Sequence, residues 1–221
     1  MSAPPIVFDL DGTLIDSAPD IHAAVARMLK AEGLEPLPLA EARGFIGNGV
    51  AVLVERVMAA VGLAPAEHPR LLARFQAEYD AAPSALTRVF DGAEAALTAL
   101  GAAGHPLGVC SNKPEATSRA ILADLGLLRH FCAIVGGDSL PVRKPHPGPL
   151  LEAFRLLGAE TGLYVGDSEV DAETAEAAVT PLFLFTKGYR KAAIEAIPHH
   201  RAFDSHARLP ALIAETTGVR T

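Results

Sequence analysis

Apolar and polar positions alternate along this chain in one repeated order: a short, wholly apolar run, a polar or acidic turn, then a stretch with apolar residues at helical spacing. The run 6–8, Ile-Val-Phe, opens the series after Pro4 and Pro5 and leads into Asp9, Asp11 and Gly12. Runs at 106–110, 133–135, 162–165 and 182–185 end at Ser111-Asn112, Gly136-Gly137-Asp138, Gly166-Asp167 and Thr186. Helical patterns at 91–102, 114–125, 147–157 and 171–178 lie between them. This order predicts an α/β fold, a Rossmann-like parallel sheet with helices on both faces, and such sheets bind ligands at the C-terminal ends of their strands.

About seventy residues separate the first strand from the second, against roughly 2 to 6 in an ordinary strand-to-helix loop. They need a core of their own, and their pattern is helical. Ser17 and Asp20 spell a capping box ahead of Ile21, Val25, Met28 and Leu29, which share one face up to Gly33. Gly49 precedes an apolar helix at 50–61, another covers 69–79, and Phe90-Asp91-Gly92 returns the chain to the sheet. The predicted division is an α/β core of residues 1–16 and 88–221 and a small all-helical cap domain of residues 17–87 inserted after the first strand. Hinges are expected near Asp16-Ser17 and Arg88–Phe90.

Half of the residues are hydrophobic and a fifth are charged, the composition of a folded globular protein. The net charge of -7 is spread along the chain without a Lys/Arg run, so nucleic acid is not an expected partner. Cys110 and Cys132 match neither a disulfide framework nor a paired zinc spacing, and read as buried, reduced thiols. The start of the chain leaves no room for a cleavable signal and no apolar stretch approaches a membrane span, which predicts a cytoplasmic protein without a membrane partner. Monomer and homodimer are both compatible with the sequence.

The strand ends hold the chemistry. Asp9 and Asp11 stand two residues apart where the first buried strand stops, Gly12 permits a sharp turn, and Thr13 follows. Two close carboxylates disfavour joint ionisation, which suits one nucleophile and one general acid/base. A surface calcium-type turn or a helix cap would use the same residues, but neither requires a buried strand before it. Asp167, at another strand end, adds a third carboxylate, and such a set of oxygen ligands describes a magnesium site. Asp171, four residues on, is placed to ligate that ion or orient it from behind, or to take part in helix capping with Ser168.

A carboxylate attacking a phosphate dianion needs fixed cations and donors on the transferring group. Lys144 lies in a loop stiffened by Pro145, Pro147 and Pro149, and Ser111, Asn112 and Lys113 bring donors to the start of the next helix. Ser111 has helix capping as its alternative. Gly47 and Gly49 allow close backbone approach, and Asn48 between them can donate to an anion, which would suit a carboxylate on the substrate. His146 flanks Lys144, and His199 and His200 read as solvent-facing; none is given a role.

Taken together, the Asp-x-Asp, Ser, Lys and Gly-Asp motifs at strand ends resemble those of the haloacid dehalogenase-like hydrolase superfamily over essentially the whole chain. Arg43-Gly44-Phe45-Ile46-Gly47-Asn48-Gly49, Gly136-Gly137-Asp138-Ser139-Leu140 and Tyr164-Val165-Gly166-Asp167-Ser168-Glu169 look like segments of the phosphoglycolate phosphatase family. The resemblance implies a Mg2+-dependent phosphatase acting on a small anionic phosphate ester, most closely 2-phosphoglycolate. Asp9 would form an aspartyl phosphate, Asp11 would carry protons, and Ser111 and Lys144 would bind the phosphoryl group. Asp9, the Asp11 carbonyl, Asp167 and Asp171 would serve the metal, with Gly12, Thr13, Asn112, Lys113, Arg43, Gly47 and Asn48 around the substrate.

A β-phosphoglucomutase-like sugar phosphomutase shares these residues and is the nearest enzymatic alternative, beside another small-metabolite phosphatase. A catalytically inactive phosphate-binding relative is the non-enzyme alternative. A phosphoryl-accepting receiver domain would need neither the insertion nor the Asp-x-Asp turn, and a dehalogenase would have no use for Asp11 or Asp167. One departure from the family it resembles stands out: its members usually carry glycine before the last core strand, where this chain has Val179-Thr180-Pro181, and a valine at positive φ would be strained.

Overall fold

Ile6–Phe8 forms the first strand, β1, with all three side chains fully buried. The protein is described over residues 3–218 by a computed structural model, so residues 1–2 and 219–221 of the predicted core division lie outside the described residues. After a short antiparallel ribbon strand β2 (Ile15–Asp16) come helices α1 (Ala18–Ala31), α2 (Leu39–Arg43), α3 (Val50–Val61) and α4 (His68–Asp80). The second ribbon strand, β3 (Arg88–Val89), leads to α5 (Ala93–Ala102), β4 (Leu107–Cys110), α6 (Glu115–Asp124) and β5 (Ala133–Val135). The chain closes with α7 (Gly148–Leu156), β6 (Leu163–Gly166), α8 (Glu169–Ala177), β7 (Leu182–Phe185), β8 (Arg201–Phe203) and α9 (Leu209–Thr217).

Among the described residues the main sheet has six strands in the order β5-β4-β1-β6-β7-β8, every pair parallel. Strand alternation divides the core into two faces. Ile6, Phe8, Val109 and Val165 join Leu97 of α5, Ile121 of α6 and Ile213 of α9 in one cluster. Val7, Cys110 and Tyr164 join Leu150 and Phe154 of α7 and Ala172 of α8 in the other. Because β1 lies between β4 and β6, the chain leaves it toward both edges, and the crevice of such a reversal opens at the C-terminal ends of those three strands.

Helices α1 to α4 bury Val25, Met28, Val54, Val57, Leu71 and Phe75, continuous with the first sheet cluster. The chain enters and leaves this helical group through β2 and β3, which pair Ile15 with Val89 and Asp16 with Arg88. Both expected hinges therefore sit side by side.

Ser17 and Asp20 do not form the expected capping box. The Ser17 hydroxyl donates to Asp11 Oδ1 at 2.5 Å, and Asp20 accepts from the Leu86 and Thr87 amides and the Thr87 hydroxyl at 2.7 to 3.0 Å. Long-range partners outbid the local bond, and Asp20 ties the start of the insertion to its end. Two short elements, β8 and α9, add to the predicted series. Cys110 is buried as expected, its thiol pushed up to about 12 by burial, but Cys132 is exposed. No helix among the described residues is long and apolar enough to cross a membrane.

Candidate active site

At the end of β1 the Asp9 amide donates to Val165 of β6 at 2.8 Å, which fixes Asp9 at the top of the sheet. The chain then doubles back, the amides of Leu14 and Ile15 donating to the Leu10 carbonyl at 3.0 and 3.2 Å. Gly12 sits at φ 87°, and a Cβ there would stand 2.5 Å from Asp167 Oδ2. Both the dihedral and the close approach require glycine.

Lys144 Nζ lies 2.9 Å from Asp9 Oδ1, 2.8 Å from Asp171 Oδ1 and 2.9 Å from the Tyr164 hydroxyl. The ammonium donates to Asp171 and Tyr164 and forms an ion pair with Asp9, whose Oδ1 has no hydrogen bond of its own among the described residues. Burial opposes its charge, but Asp171 and Asp9 outweigh that and hold Lys144 above the usual lysine range.

Asp171 is itself filled. Oδ1 also accepts from the Tyr164 hydroxyl at 2.6 Å, and Oδ2 accepts from the Asp167 and Ser168 amides at 3.1 Å and the Ser168 hydroxyl at 2.8 Å. The capping box expected as an alternative for this residue is present, at the start of α8. Burial works against the Asp171 carboxylate, yet Lys144 and these donors hold it below the ordinary aspartate range.

Asp167, 1% exposed, accepts from the Thr13 hydroxyl at 2.8 Å and the Tyr189 amide at 2.6 Å. Thr13 is fully buried, so its hydroxyl serves Asp167 in place of the expected substrate contact. Burial, with the charges of Asp171 and Asp9, pushes the Asp167 carboxyl well above its usual range. Asp9 is raised to about 7, burial outweighing the relief from Lys144.

Carboxylate oxygens of Asp9, Asp167 and Asp171 lie within 4.8 Å of one another. Asp171 has both oxygens engaged and Asp9 has Lys144 beside one oxygen, whereas Asp167 is met only by the neutral donors of Thr13 and Tyr189. An all-oxygen set of this kind fits a hard divalent cation such as Mg2+ better than a thiolate- or imidazole-preferring metal.

Asp11 takes the Ser17 hydroxyl on one oxygen and the Lys113 ammonium, at 3.2 Å, on the other. Lys113 also donates to the Tyr79 hydroxyl of α4 at 2.8 Å, with its Nζ 4.6 Å from the ring centre. Burial opposes its charge, but Asp11 and Tyr79 keep Lys113 above the usual range. Ser111, 3% exposed, holds its amide on Val135, and its Oγ accepts from the Lys113 amide at 3.3 Å. Asn112 donates to the carbonyls of Gly47 and Lys144, both at 3.0 Å, and so ties the helical insertion to the Lys144 loop.

These residues surround a cavity of about 50 Å³ lined by Asp9, Asp11, Ser111, Asn112 and Lys113 on the sheet side. Ile21, Ile46, Gly47, Gly49, Val50, Leu53, Phe75 and Tyr79 line it from the helical side. Two expected substrate contacts point elsewhere. Arg43 pairs with Asp16 at 3.1 Å and lies over the Tyr189 ring, and Asn48 turns its Oδ1 to Arg56 at 2.9 Å.

Tyr79, Tyr164, Tyr189 and Ser17 carry site contacts that the sequence reading did not single out. Tyr164 had a usable signal: a tyrosine inside an apolar strand needs a partner for its hydroxyl. Tyr79 had none, since its partner lies 34 residues away on another element.

The family model for haloacid dehalogenase-like hydrolases matches residues 6–178. A Cereibacter sphaeroides protein named phosphoglycolate phosphatase is 56% identical over 95% of this chain and 97% of its own length. A Rhodobacter capsulatus protein of the same name is 39% identical over 96% and 97%. The crystal structure of a predicted phosphoglycolate phosphatase from Haemophilus somnus superposes with a TM-score of 0.89 at 30% identity, covering 96% of this chain and 98% of the other.

Proposed function

The chain belongs to the haloacid dehalogenase-like hydrolases, and from that premise we propose that it hydrolyses 2-phosphoglycolate to glycolate and phosphate. The observation that carries the chemistry is the Lys144 ammonium 2.9 Å from Asp9, between that carboxylate and Asp171. A carboxylate fixed against a cation at a strand end is preorganised to attack an electrophile that brings its own negative charge. The names of the relatives at 56% and 39% identity support the substrate.

In this reading an Asp9 oxygen attacks phosphorus as the bond to the leaving oxygen breaks, and Asp11 gives that oxygen a proton. Asp11 then removes a proton from water, which attacks the aspartyl phosphate, releases phosphate and restores Asp9. Ser111 and Lys144 hold the phosphoryl oxygens. Asp9, the Asp11 carbonyl and Asp167 would hold a Mg2+ ion, which would neutralise charge at the phosphoryl group. Asp171 acts from behind, orienting Lys144 and the Asp167 turn. Residues 17–87 serve as the cap, residues 1–16 and 88–221 as the catalytic core, and the β2–β3 ribbon as the hinge by which the cap admits substrate and excludes water.

The test is phosphate release from 2-phosphoglycolate against hexose phosphates, with and without Mg2+ and with and without a sugar bisphosphate. Mg2+-dependent release with 2-phosphoglycolate preferred is expected. Isomerisation of hexose 1-phosphate in preference to hydrolysis would move the protein to the phosphomutases, and absence of any release would leave a phosphate-binding relative.

A further inference from the structure

Two side chains expected to meet the far end of the substrate are engaged elsewhere, Arg43 on Asp16 and Asn48 on Arg56. Lys113 is placed differently. Whereas Lys144 Nζ has three polar partners, hydrogen bonds to Tyr164 and Asp171 and an ion pair with Asp9, Lys113 Nζ has two among the described residues, a hydrogen bond to the Tyr79 hydroxyl and an ion pair with Asp11 Oδ2. One N–H is left on a side chain that lines the cavity and is 6% exposed.

Beyond the phosphoryl end, the side chains of the cap side of that cavity are hydrocarbon apart from Tyr79: Ile21, Ile46, Val50, Leu53 and Phe75. A charged tail entering there loses its hydration and must find a counter-charge. We propose that Lys113, steered by Tyr79, is that counter-charge, and that the pair selects a short phosphate ester carrying a carboxylate over one with a neutral tail. This rests on the reaction proposed above and names the residues that choose its substrate.

Tyr79 acts through Lys113 and is a positioning residue. Its ring stacks on Phe75, centroids 5.8 Å apart and planes 10° apart, which fixes the hydroxyl. Tyr79 stands on α4 and Lys113 on the loop after β4, so their bond spans the joint between insertion and sheet. The cation is aimed only while the insertion sits over the sheet, which makes selection part of closure. The competing cation is Arg143, exposed and outside the cavity lining, whose Nη1 lies 3.2 Å from the site of a Cβ on the lining residue Gly49.

Asp11 shares the Lys113 ammonium, so loss of Lys113 affects every ester, and the informative quantity is a ratio. The experiment compares kcat/KM for 2-phosphoglycolate and for ethyl phosphate, which has a methyl in place of the carboxylate, using the full chain with Mg2+. Wild type is expected to favour 2-phosphoglycolate, and Lys113→Met to reduce that preference by about 10- to 100-fold, the loss of one charge-assisted contact. Lys113→Arg should restore part of it. Tyr79→Phe should reduce it by a smaller factor, through KM for 2-phosphoglycolate rather than kcat, and add little to Lys113→Met in the double variant. If Lys113→Met does not fold, the Tyr79→Phe ratio decides.

An unchanged ratio in these variants, a wild type without preference, or a collapse in Arg143→Met instead would overturn the inference and leave a phosphatase. A wild type that releases phosphate from no ester would overturn the reaction itself, and this inference with it.

Discussion

Asp171 and Lys144 meet at 2.8 Å with side chains 0% and 2% exposed, and both Asp171 oxygens are engaged. Asp171→Asn keeps the shape but turns an NH2 toward either Lys144 and Tyr164 or the Asp167 and Ser168 amides. Donors then face donors. We expect a loss of about 3 kcal/mol in unfolding free energy, the usual result of removing one partner of a buried ion pair, with turnover falling as Lys144 loses its second anchor. Denaturant unfolding beside phosphate release checks both; a variant as stable as wild type would contradict the arrangement.

Thr13 reaches Asp167 at 2.8 Å from full burial. Thr13→Val deletes that donor with little change of shape. If Asp167 is a ligand, Mg2+ affinity should fall about 10- to 100-fold, as for other partners that orient ligating carboxylates. Calorimetric titration of Mg2+ into the protein reads this without turnover, and an unaltered affinity would remove Asp167 from the metal site.

Much of this was legible because the information is local. Wholly apolar runs such as Ile6–Phe8 and Leu182–Phe185 can be little else than buried parallel strands, and a polar residue ending each one marks the crevice. What was not legible depends on partners far along the chain. Ser17 and Asp20 carry a capping signature, but Asp11 and Thr87 claim their side chains. Arg43 ends α2 and Asn48 lies in the loop after it, which reaches the cavity through Ile46, Gly47 and Gly49, and no local rule tells which side chains of such a segment turn inward. Strand β8 was hidden because Arg201 is exposed and Phe203 alone is buried on that edge.

Val179 is the one non-glycine residue with positive φ among the described residues, at 51°, and is 88% exposed. It follows α8, with its amide on Glu176 and that of Thr180 on Ala175, the two bonds of a Schellman ending. Val179→Gly should therefore stabilise the protein by about 1 kcal/mol by relieving a branched side chain in the left-handed region. Thermal unfolding with a lower Tm than wild type would contradict this.

His206 is 1% exposed among Phe90, Phe185 and Phe203, and neither ring nitrogen has a hydrogen-bond partner among the described residues. Burial lowers its pKa from 6.5 to about 4. The folded state favours the neutral ring while the unfolded chain takes the proton first, so the stability linked to this group is whole above about pH 6.5 and declines as pH falls through 4. The decline amounts to about 3 kcal/mol. Unfolding free energies between pH 7 and 4 should fall less steeply in His206→Leu than in wild type; parallel profiles would exclude His206 as the cause.

The central claim is that Asp9 carries the phosphoryl group during the reaction. Acid-quenched mass spectrometry of the Mg2+-loaded protein with 2-phosphoglycolate tests it most directly. A phosphoryl mass increment is expected on the peptide containing Asp9, absent from Asp9→Asn, which should also release no phosphate. Turnover by Asp9→Asn at the wild-type rate, or an increment on any other residue, would contradict it.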